Sequence, residues 1–230
     1  MATITVNATQ DGYLWGPASG TFSGARNPTD ASLAFANSTG ANQESIAFTK
    51  AAGPRGTTYY FRRSAFGFNV TSYSSDTITN AFLQIRTTTS GTNLANTVYM
   101  VPFSGFGATL GSTLAVGDWS NYTLGTSWGS ASIVNTASTQ TITLNSTGIA
   151  AFTTGYVKIG AISNVDYQNS DPASTVTDDT WINWSHSDNA QLIFDQASSG
   201  YGNIVNAVAA ASIGSINTVP AADITNVIGV

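Results

Sequence analysis

Alternation of apolar and polar residues across residues 57–103 constrains the fold more than any other feature of the chain. Three runs, at 57–72, 78–89 and 96–103, repeat with the two-residue period that a half-buried strand requires. Pro102 near the end of the third run indicates a strand terminus or an edge strand. The runs predict a meander of three consecutive strands and an all-β fold. The predicted core positions are Phe66, Phe68, Val70, Ala81, Leu83 and Ile85.

Shorter runs of the same kind predict further strands along the chain. They lie at 2–8, 33–35, 44–50, 139–145, 156–163, 180–185 and 190–196. Between them, Gln10, Asp11 and Gly12 predict a turn, because these residue types favour tight turns. The polar sequence at 166–179 predicts a loop. The chain therefore consists of many short strands joined by polar connections.

One helical turn is predicted at 148–152, where Ser146 and Thr147 can cap its start and Gly155 follows its end. The glycine-rich stretch after residue 103 predicts a long connection rather than regular structure. Its large aromatic residues are expected to fold back over the sandwich as lids. They are Trp119, Tyr122 and Trp128.

Charged residues make up only 8% of the chain, where about 25% is usual. Solubility must then come from Ser, Thr, Asn and Gly, a balance that suits assembled surfaces whose neighbouring copies must not repel one another. A net charge of −5 argues against nucleic-acid binding, which needs Lys and Arg to neutralise phosphates. The adjacent Arg62 and Arg63 indicate a solvated face or ion-pair partners. Cysteine is absent, which excludes disulfides and thiolate metal sites.

The sequence begins without the basic and apolar regions of a secretory signal, and no run reaches the length of a membrane helix. This start, combined with a composition typical of extracellular β proteins, predicts a protein that assembles inside a cell and is released by lysis. A virion component fits that description, with no nucleic-acid or membrane partner. Removal of a signal sequence for expression is the alternative.

Residues 197–230 differ in kind from the sandwich domain predicted at 1–196. The segment SIGSINTV (212–219) is matched 11 residues later by DITNVIGV (223–230), and apolar residues recur in each at every third position. A period of three suits an extended or polyproline-like arm whose apolar side needs another surface. Insertion into a neighbouring copy is favoured over packing on the same copy. The predicted assembly residues are Ile213, Ile216, Val219, Ile224, Val227 and Val230.

Catalytic chemistry has little support in the sequence. His186 is the only histidine, and its serine and aspartate neighbours cannot all reach it in triad geometry from one strand end. Irregularly spaced aspartates could bind Ca²⁺, although they do not match an EF-hand loop and a solvated acidic loop is the simpler interpretation. These candidate ligands are Asp166, Asp171, Asp178 and Asp179. No other metal or cofactor is expected.

Tryptophan residues provide the one candidate ligand-binding surface, because exposed aromatic rings can stack on sugars. The candidates are Trp119, Trp128 and Trp184. The alternative for each is a role in the core or as a lid.

The order of motifs resembles a family of jelly-roll sandwiches that includes carbohydrate-binding modules, surface-protein repeats of the DNRLRE type and bacteriophage structural domains. The resemblance covers about residues 1–196 and includes R-x-x-x-x-F at Arg63 and Phe68, I-x-x-A-x-L at 78–83, and a helix at 148–152 before the penultimate strands. The tail is similar to I-x-x-I-N-x-V endings of phage structural proteins, with Ser215 and Asn226 in place of a lysine.

The resemblance implies an antiparallel jelly-roll sandwich with one short helix and an extended C-terminal arm. It further implies a non-enzymatic virion subunit, such as a capsid decoration, head-fibre or tail-associated protein, that forms a homo-oligomer and contacts other virion proteins. The alternatives are a carbohydrate-binding module or adhesin domain that binds host-surface glycans, and an extracellular filament subunit.

Overall fold

The structure is a computed structural model that describes residues 2–28, 33–36, 44–87, 96–133, 138–172, 176–184, 190–197, 215–216 and 219–220. Its strands are β1 Ala2–Asn7, β2 Gln10–Trp15, β3 Leu33–Ala36, β4 Glu44–Gly53, β5 Gly56–Asn69, β6 Ile78–Arg86, β7 Asn96–Pro102, β8 Gly129–Ile133, β9 Thr139–Thr143, β10 Tyr156–Ser163, β11 Val176–Trp184, β12 Gln191–Gln196, β13 Ser215–Ile216 and β14 Val219–Pro220. Three short α-helices are α1 Phe22–Arg26, α2 Ser146–Ala150 and α3 Asn164–Gln168. Single 3₁₀ turns lie at Thr71–Tyr73, Val116–Asn121 and Ala151–Thr154.

Eight of these strands form two facing antiparallel sheets with jelly-roll connectivity. In chain order the eight are β1, β5, β6, β7, β8, β9, β10 and β12. One sheet has the order β1-β12-β6-β9, and the other contains β5-β10-β7-β8. When these eight strands are numbered 1 to 8 in chain order, their spatial order is 1-8-3-6 in the first sheet and 2-7-4-5 in the second. This interleaving is that of two Greek keys, and it confirms the predicted all-β jelly-roll sandwich.

The predicted meander is wrong, although its three strands are all present. β6 lies in the four-stranded sheet between β12 and β9, whereas β5 and β7 both flank β10 in the other sheet. The chain therefore crosses from one sheet to the other after β5 and again after β6. Alternation determines which face of a strand is buried, but it does not say which strand will pair with it. Pro102 does end β7, as predicted.

Four further strands extend the larger sheet around the long strand β5. β4 pairs with the first half of β5 and with β11, while β2 pairs with residues 62–67 of β5 and with β3. The turn predicted at Gln10, Asp11 and Gly12 is wrong, because these residues form the start of β2. Asp11 is only 4% exposed. Strand pairing has here overridden the turn preference of the residue types.

The main core lies between the two sheets. All six predicted core positions are buried there, together with inward residues of β8, β9, β10 and β12. Trp128 packs into this core as well. The strand alternation visible in the sequence thus identified the face of β5 that enters this core and the buried face of β6.

A second core covers the outer face of the larger sheet. The connection after β7 folds back over that face, and Phe106, Leu110 and Trp119 from it pack against Phe61 and Val101 of the sheet. Both faces of this sheet are consequently buried around β5 and β7. The predicted lid role is confirmed for Trp119 and Tyr122 of this connection, and it is wrong for Trp128, which packs in the main core between the sheets.

The helices lie at the sheet connections. α2 continues into the 3₁₀ turn at Ala151–Thr154 and ends at Gly155, whose φ of 76° is a left-handed conformation that glycine adopts without strain. Its cap is Asn145, which accepts a 3.0 Å hydrogen bond from the Gly148 amide, and not Ser146 or Thr147 as predicted. The predicted polar loop at 166–179 is also wrong in part, since it contains most of α3 and the start of β11.

Candidate functional site

A buried ion cluster joins the larger sheet to the layer that covers it. Arg63 on β5 donates from Nε to Asp166 Oδ2 at 2.6 Å and from Nη2 to Asp166 Oδ1 at 3.0 Å. Arg26 from α1 approaches the same carboxylate, with Nε 3.1 Å from Oδ1. Arg63 and Asp166 are 2% and 0% exposed. A bidentate pair of this kind holds both groups in one orientation.

Further hydrogen bonds satisfy the remaining donors of the cluster. Arg63 donates to the backbone oxygens of Trp119 and Arg26, at 3.1 and 2.9 Å. The Arg26 Nε and Nη2 atoms donate to the backbone oxygen of Asp166, and the Trp119 indole donates to that of Arg26. The Arg63 guanidinium also lies 4.1 Å from the centre of the Trp119 ring. The cluster therefore joins α1, α3 and the connection between β7 and β8 (residues 103–128, called the covering connection below) to β5.

The electrostatics of the cluster suit a structural clamp. Burial, with Arg63 close by, lowers the pKa of Arg26, and the Asp166 carboxylate opposes that shift. Two guanidinium groups share one carboxylate, so a positive charge remains, and backbone oxygens accept its hydrogen bonds. Every oxygen of Asp166 faces a guanidinium nitrogen. A clamp of this kind orients segments of the chain, and it leaves no carboxylate oxygen for a substrate.

A second cluster links β4 and β5 to the segment after α3. Lys50 Nζ lies 2.8 Å from Asp171 Oδ1, and Tyr59 donates from its hydroxyl to Asp171 Oδ2 at 2.9 Å. Lys50 also donates to the backbone oxygen of Pro172. Hydrogen bonding to Asp171 raises the pKa of Lys50. For Asp171, desolvation raises the pKa, but the hydrogen bonds from Lys50 and Tyr59 outweigh it and the net direction is downward.

The structure places two of the four predicted calcium ligands, Asp166 and Asp171, in different ion pairs. Asp166 is enclosed in the arginine clamp and Asp171 is paired with Lys50, so each has a cation of the protein where Ca²⁺ would have to bind. Among the described residues, no three His, Cys, Asp or Glu side chains gather as a metal site. The side chains of Asp178 and Asp179 lie outside the description.

The predicted sugar platform does not form at Trp119 or Trp128. These residues are 2% and 9% exposed, and a sugar needs an open ring face to stack on. The Trp184 side chain and His186 lie outside the described part of the chain. Across the described side chains, every aromatic ring is buried or half-buried. Of the half-buried rings, Trp15 is covered by the Arg62 guanidinium at 4.2 Å. Tyr99 and Tyr167 stack on each other with ring centres 3.9 Å apart.

The solvent face of the four-stranded sheet is the surface that the sequence analysis did not single out. Strand register places Thr5, Ile193, Phe82 and Thr143 in one row across all four strands. Phe82 and Ile193 are half-buried at its centre, while the threonines are exposed at its ends. The alternation of β6 had placed Phe82 opposite the core residues, and a phenylalanine on that side was the available indication of a surface site.

The described part of the C-terminal arm is a small hairpin. β13 pairs antiparallel with β14, and Ile216 lies opposite Val219. Two of the six predicted assembly residues therefore belong to this hairpin. The other four, Ile213, Ile224, Val227 and Val230, lie outside the described residues. A two-stranded hairpin of this size is not stable in water by itself, and it needs a surface to pack on.

No helix in the described segments is long and apolar enough to cross a lipid bilayer. No protein-family model matches the chain, and no curated protein is similar to it. The resemblance to jelly-roll domains of phage and carbohydrate-binding proteins stays a prediction beyond the fold itself.

Proposed function

We propose that this protein is a non-enzymatic structural subunit that assembles into a symmetric oligomer through its C-terminal arm and sheet surfaces. Its proposed setting is a phage-like particle, as a decoration, head-fibre or tail-associated protein. The observation that carries the proposal is the contrast between a sandwich with two packed cores and an arm that is rich in apolar residues.

The described residues of the sandwich form two packed core clusters. Both core clusters take their described members from residues up to Phe194. The ion clamp and the Lys50–Asp171 pair also lie within the sandwich. Val116 is the one large apolar residue that is exposed among the described side chains, at 42%. Few large apolar residues of the described sandwich are therefore exposed.

The arm is rich in apolar residues but, at 33 residues, is too short to build a stable core of its own. Residues 198–230 include ten Ile and Val residues and one charged side chain, Asp223. Its described structure is one hairpin of two residue pairs. Exposed apolar segments associate in water, so the arm needs a surface to pack on. We propose that a second copy of the chain provides it.

The virion setting rests on the resemblance of the sequence and on its low charge. A surface built from Thr, Ser and Asn, with only 8% charged residues, lets identical copies pack closely with little repulsion. The same property would serve an extracellular filament, and electron microscopy of the assembled protein would separate a closed oligomer from an open one.

The test is the mass in solution, by light scattering, of the full chain and of a chain ending at Gln196. We expect a discrete oligomer for the full chain and a monomer for the shortened one. Circular dichroism and a thermal melt of the shortened chain would confirm that its sandwich is folded. Two folded monomers would overturn the proposal.

The glycan-binding alternative has less support, because two of its three predicted tryptophans, Trp119 and Trp128, are buried. It would regain support if the full chain were a monomer that bound an oligosaccharide on a glycan array. In that case the half-buried Trp15 and its neighbour Arg62 would be the residues to substitute first, since an indole and a guanidinium together can contact a sugar ring and its hydroxyls.

A further inference from the structure

We propose that the solvent face of the four-stranded sheet receives the C-terminal arm, residues 198–230, of a neighbouring copy. This inference rests on the proposed function and deepens it by naming the surface on which the arm docks. The face is called the docking face below, and it consists of the outward residues of β1, β12, β6 and β9.

The docking face has an apolar centre. Ile193 of β12 and Phe82 of β6 are directly opposite each other in the strand register. They lie on the two central strands, between Thr5 of β1 and Thr143 of β9. A half-buried aromatic residue at the middle of a polar surface is the arrangement that most often carries the binding energy of a protein interface.

The rim of the docking face is polar and carries two charged side chains, Asp195 of β12 and the exposed Arg86 of β6. On one side of the centre the register aligns Asn7, Gln191, Gln84 and Thr141, and on the other side Thr3, Asp195 and Asn80. The Asp195 carboxylate accepts hydrogen bonds from Thr3 at 2.7 Å and from Asn80 at 3.4 Å. Amide and hydroxyl side chains can exchange hydrogen bonds with an extended backbone.

The arm matches this face in chemistry. Its ten Ile and Val residues can cover Phe82 and Ile193, and its single charged side chain leaves little charge to desolvate on docking. After the hairpin, a period of three would place Ile224, Val227 and Val230 along one side of an extended segment. The opposite side would keep the Asn, Ser and Thr residues in water.

The course of the chain also favours this face over the covered sheet. The arm follows β12, which is a central strand of the docking sheet, and Ala197 is still bound to it through a 2.8 Å hydrogen bond to the Thr77 oxygen. The arm therefore leaves the sandwich at an end of the docking sheet. The residues from 198 to 214, which precede the β13–β14 hairpin, span at most about 60 Å when extended, so the hairpin can reach the same sheet of an adjacent copy.

The absence of cysteine allows a direct test by cross-linking. A Gln84→Cys chain and a mass-tagged Ser215→Cys chain would be co-expressed and treated with a short bismaleimide. We expect a mixed cross-linked dimer. A Thr113→Cys chain, with its cysteine on the exposed connection that covers the other sheet, replaces Gln84→Cys as the matched control and should give little mixed product.

The Gln84→Cys/Ser215→Cys double variant tests whether the arm instead covers its own copy. A cross-link within one chain, with no mixed dimer, would overturn the assignment to a neighbour. Absence of both products would overturn the docking face itself.

Substitution of the apolar centre tests the same surface without cross-linking. We expect the Phe82→Thr/Ile193→Thr variant of the full chain to lose the oligomer mass, while Val116→Thr, which makes an exposed apolar residue elsewhere polar, keeps it. Threonine preserves the preference for a strand. A persistent oligomer in the double variant, with a monomeric chain ending at Gln196, would place the arm on another surface and leave the proposed function standing.

Discussion

At the scale of single residues, the most consequential group is the carboxylate of Asp166. It lies at a position that the sequence made a calcium candidate in a polar loop, yet it is wholly buried between Arg63 and Arg26. A single arginine in a strand is ambiguous in sequence, because the same residue serves a solvated face and a buried pair. Its partner is 103 positions away along the chain. Only folding brings the two together.

Removal of one partner from this clamp should destabilise the protein strongly. We expect Asp166→Asn to lower the free energy of unfolding by about 3–5 kcal/mol, because the buried Arg63 and Arg26 then lose their shared counterion. Arg63→Met should also destabilise the protein, because it removes the bidentate pair and leaves Asp166 with Arg26 alone. Chemical denaturation followed by circular dichroism measures the effect. Arg55→Met, at an exposed position in the β4–β5 turn, is the control and should change stability by less than about 0.5 kcal/mol. Equal effects at Arg63 and Arg55 would contradict the clamp.

The Lys50–Asp171 pair should make stability depend on pH in a defined direction. The pKa of Asp171 is lowered in the folded state, so its contribution is present above the ordinary value of 3.8 and is lost as pH falls through the lower folded pKa. The pKa of Lys50 is raised, so its contribution is present below 10.5 and is lost as pH rises through the higher folded pKa.

Melting curves of the wild type and of Asp171→Asn at several pH values test this pair. We expect the wild type to melt at the higher temperature between these limits and the difference to shrink in acid below pH 3.8. Because Asp171 is exposed at the surface, the difference should also be small and sensitive to salt. A difference that grew in acid would contradict the pairing.

At the scale of elements, the sequence predicts strands well and their surroundings less well. Strands β5, β6 and β7 were all located by alternation, but their pairing was not. The sequence predicts a turn at the start of β2 and a loop over most of α3, because Asp, Gly and Asn favour turns. Tertiary contacts override these local preferences in the structure. The covering connection shows the same limit, because its packing depends on a close approach to β10 that no local pattern reveals.

That close approach depends on Gly160. A Cβ atom there would lie 2.5 Å from Cδ1 of Tyr122, so the covering connection packs directly on the strand backbone. We expect Gly160→Ala to destabilise the protein by about 1–3 kcal/mol through overpacking. Gly20→Ala is the control, because a Cβ atom at that position has no neighbour within 4 Å. Urea unfolding of both variants compares them, and similar midpoints would argue against this packing.

At the scale of the whole molecule, the protein is a two-sheet sandwich whose larger sheet is covered on its outer face by a second layer. The predicted arm follows the last strand of the sandwich. The larger sheet is buried on both faces around β5 and β7, and the smaller sheet carries the half-buried Phe82 and Ile193 on its outer face. Few charges are available to hold copies together. Assembly should therefore depend on apolar burial and on hydrogen bonds of amide and hydroxyl groups.

The proposed oligomer should for this reason persist in salt. We expect its mass by light scattering to be unchanged between about 0.05 M and 1 M NaCl, a range over which the Debye length falls to about 3 Å and surface ion pairs are screened. A chain carrying Phe82→Thr and Ile193→Thr should stay monomeric across the same range. Dissociation of the wild type at high salt would show that ion pairs hold the copies together.

The sequence by itself determined the all-β class, most strand positions and the buried face of β6, and it predicts a division between a sandwich and an apolar arm. Each of these follows from the local period of the side chains. Tertiary structure alone decided the pairing of strands, the second core, the arginine clamp at Asp166 and the apolar row at Phe82 and Ile193. The physical reason is that these features join residues far apart in the chain. Their energy comes from burial and charge pairing that no local pattern encodes.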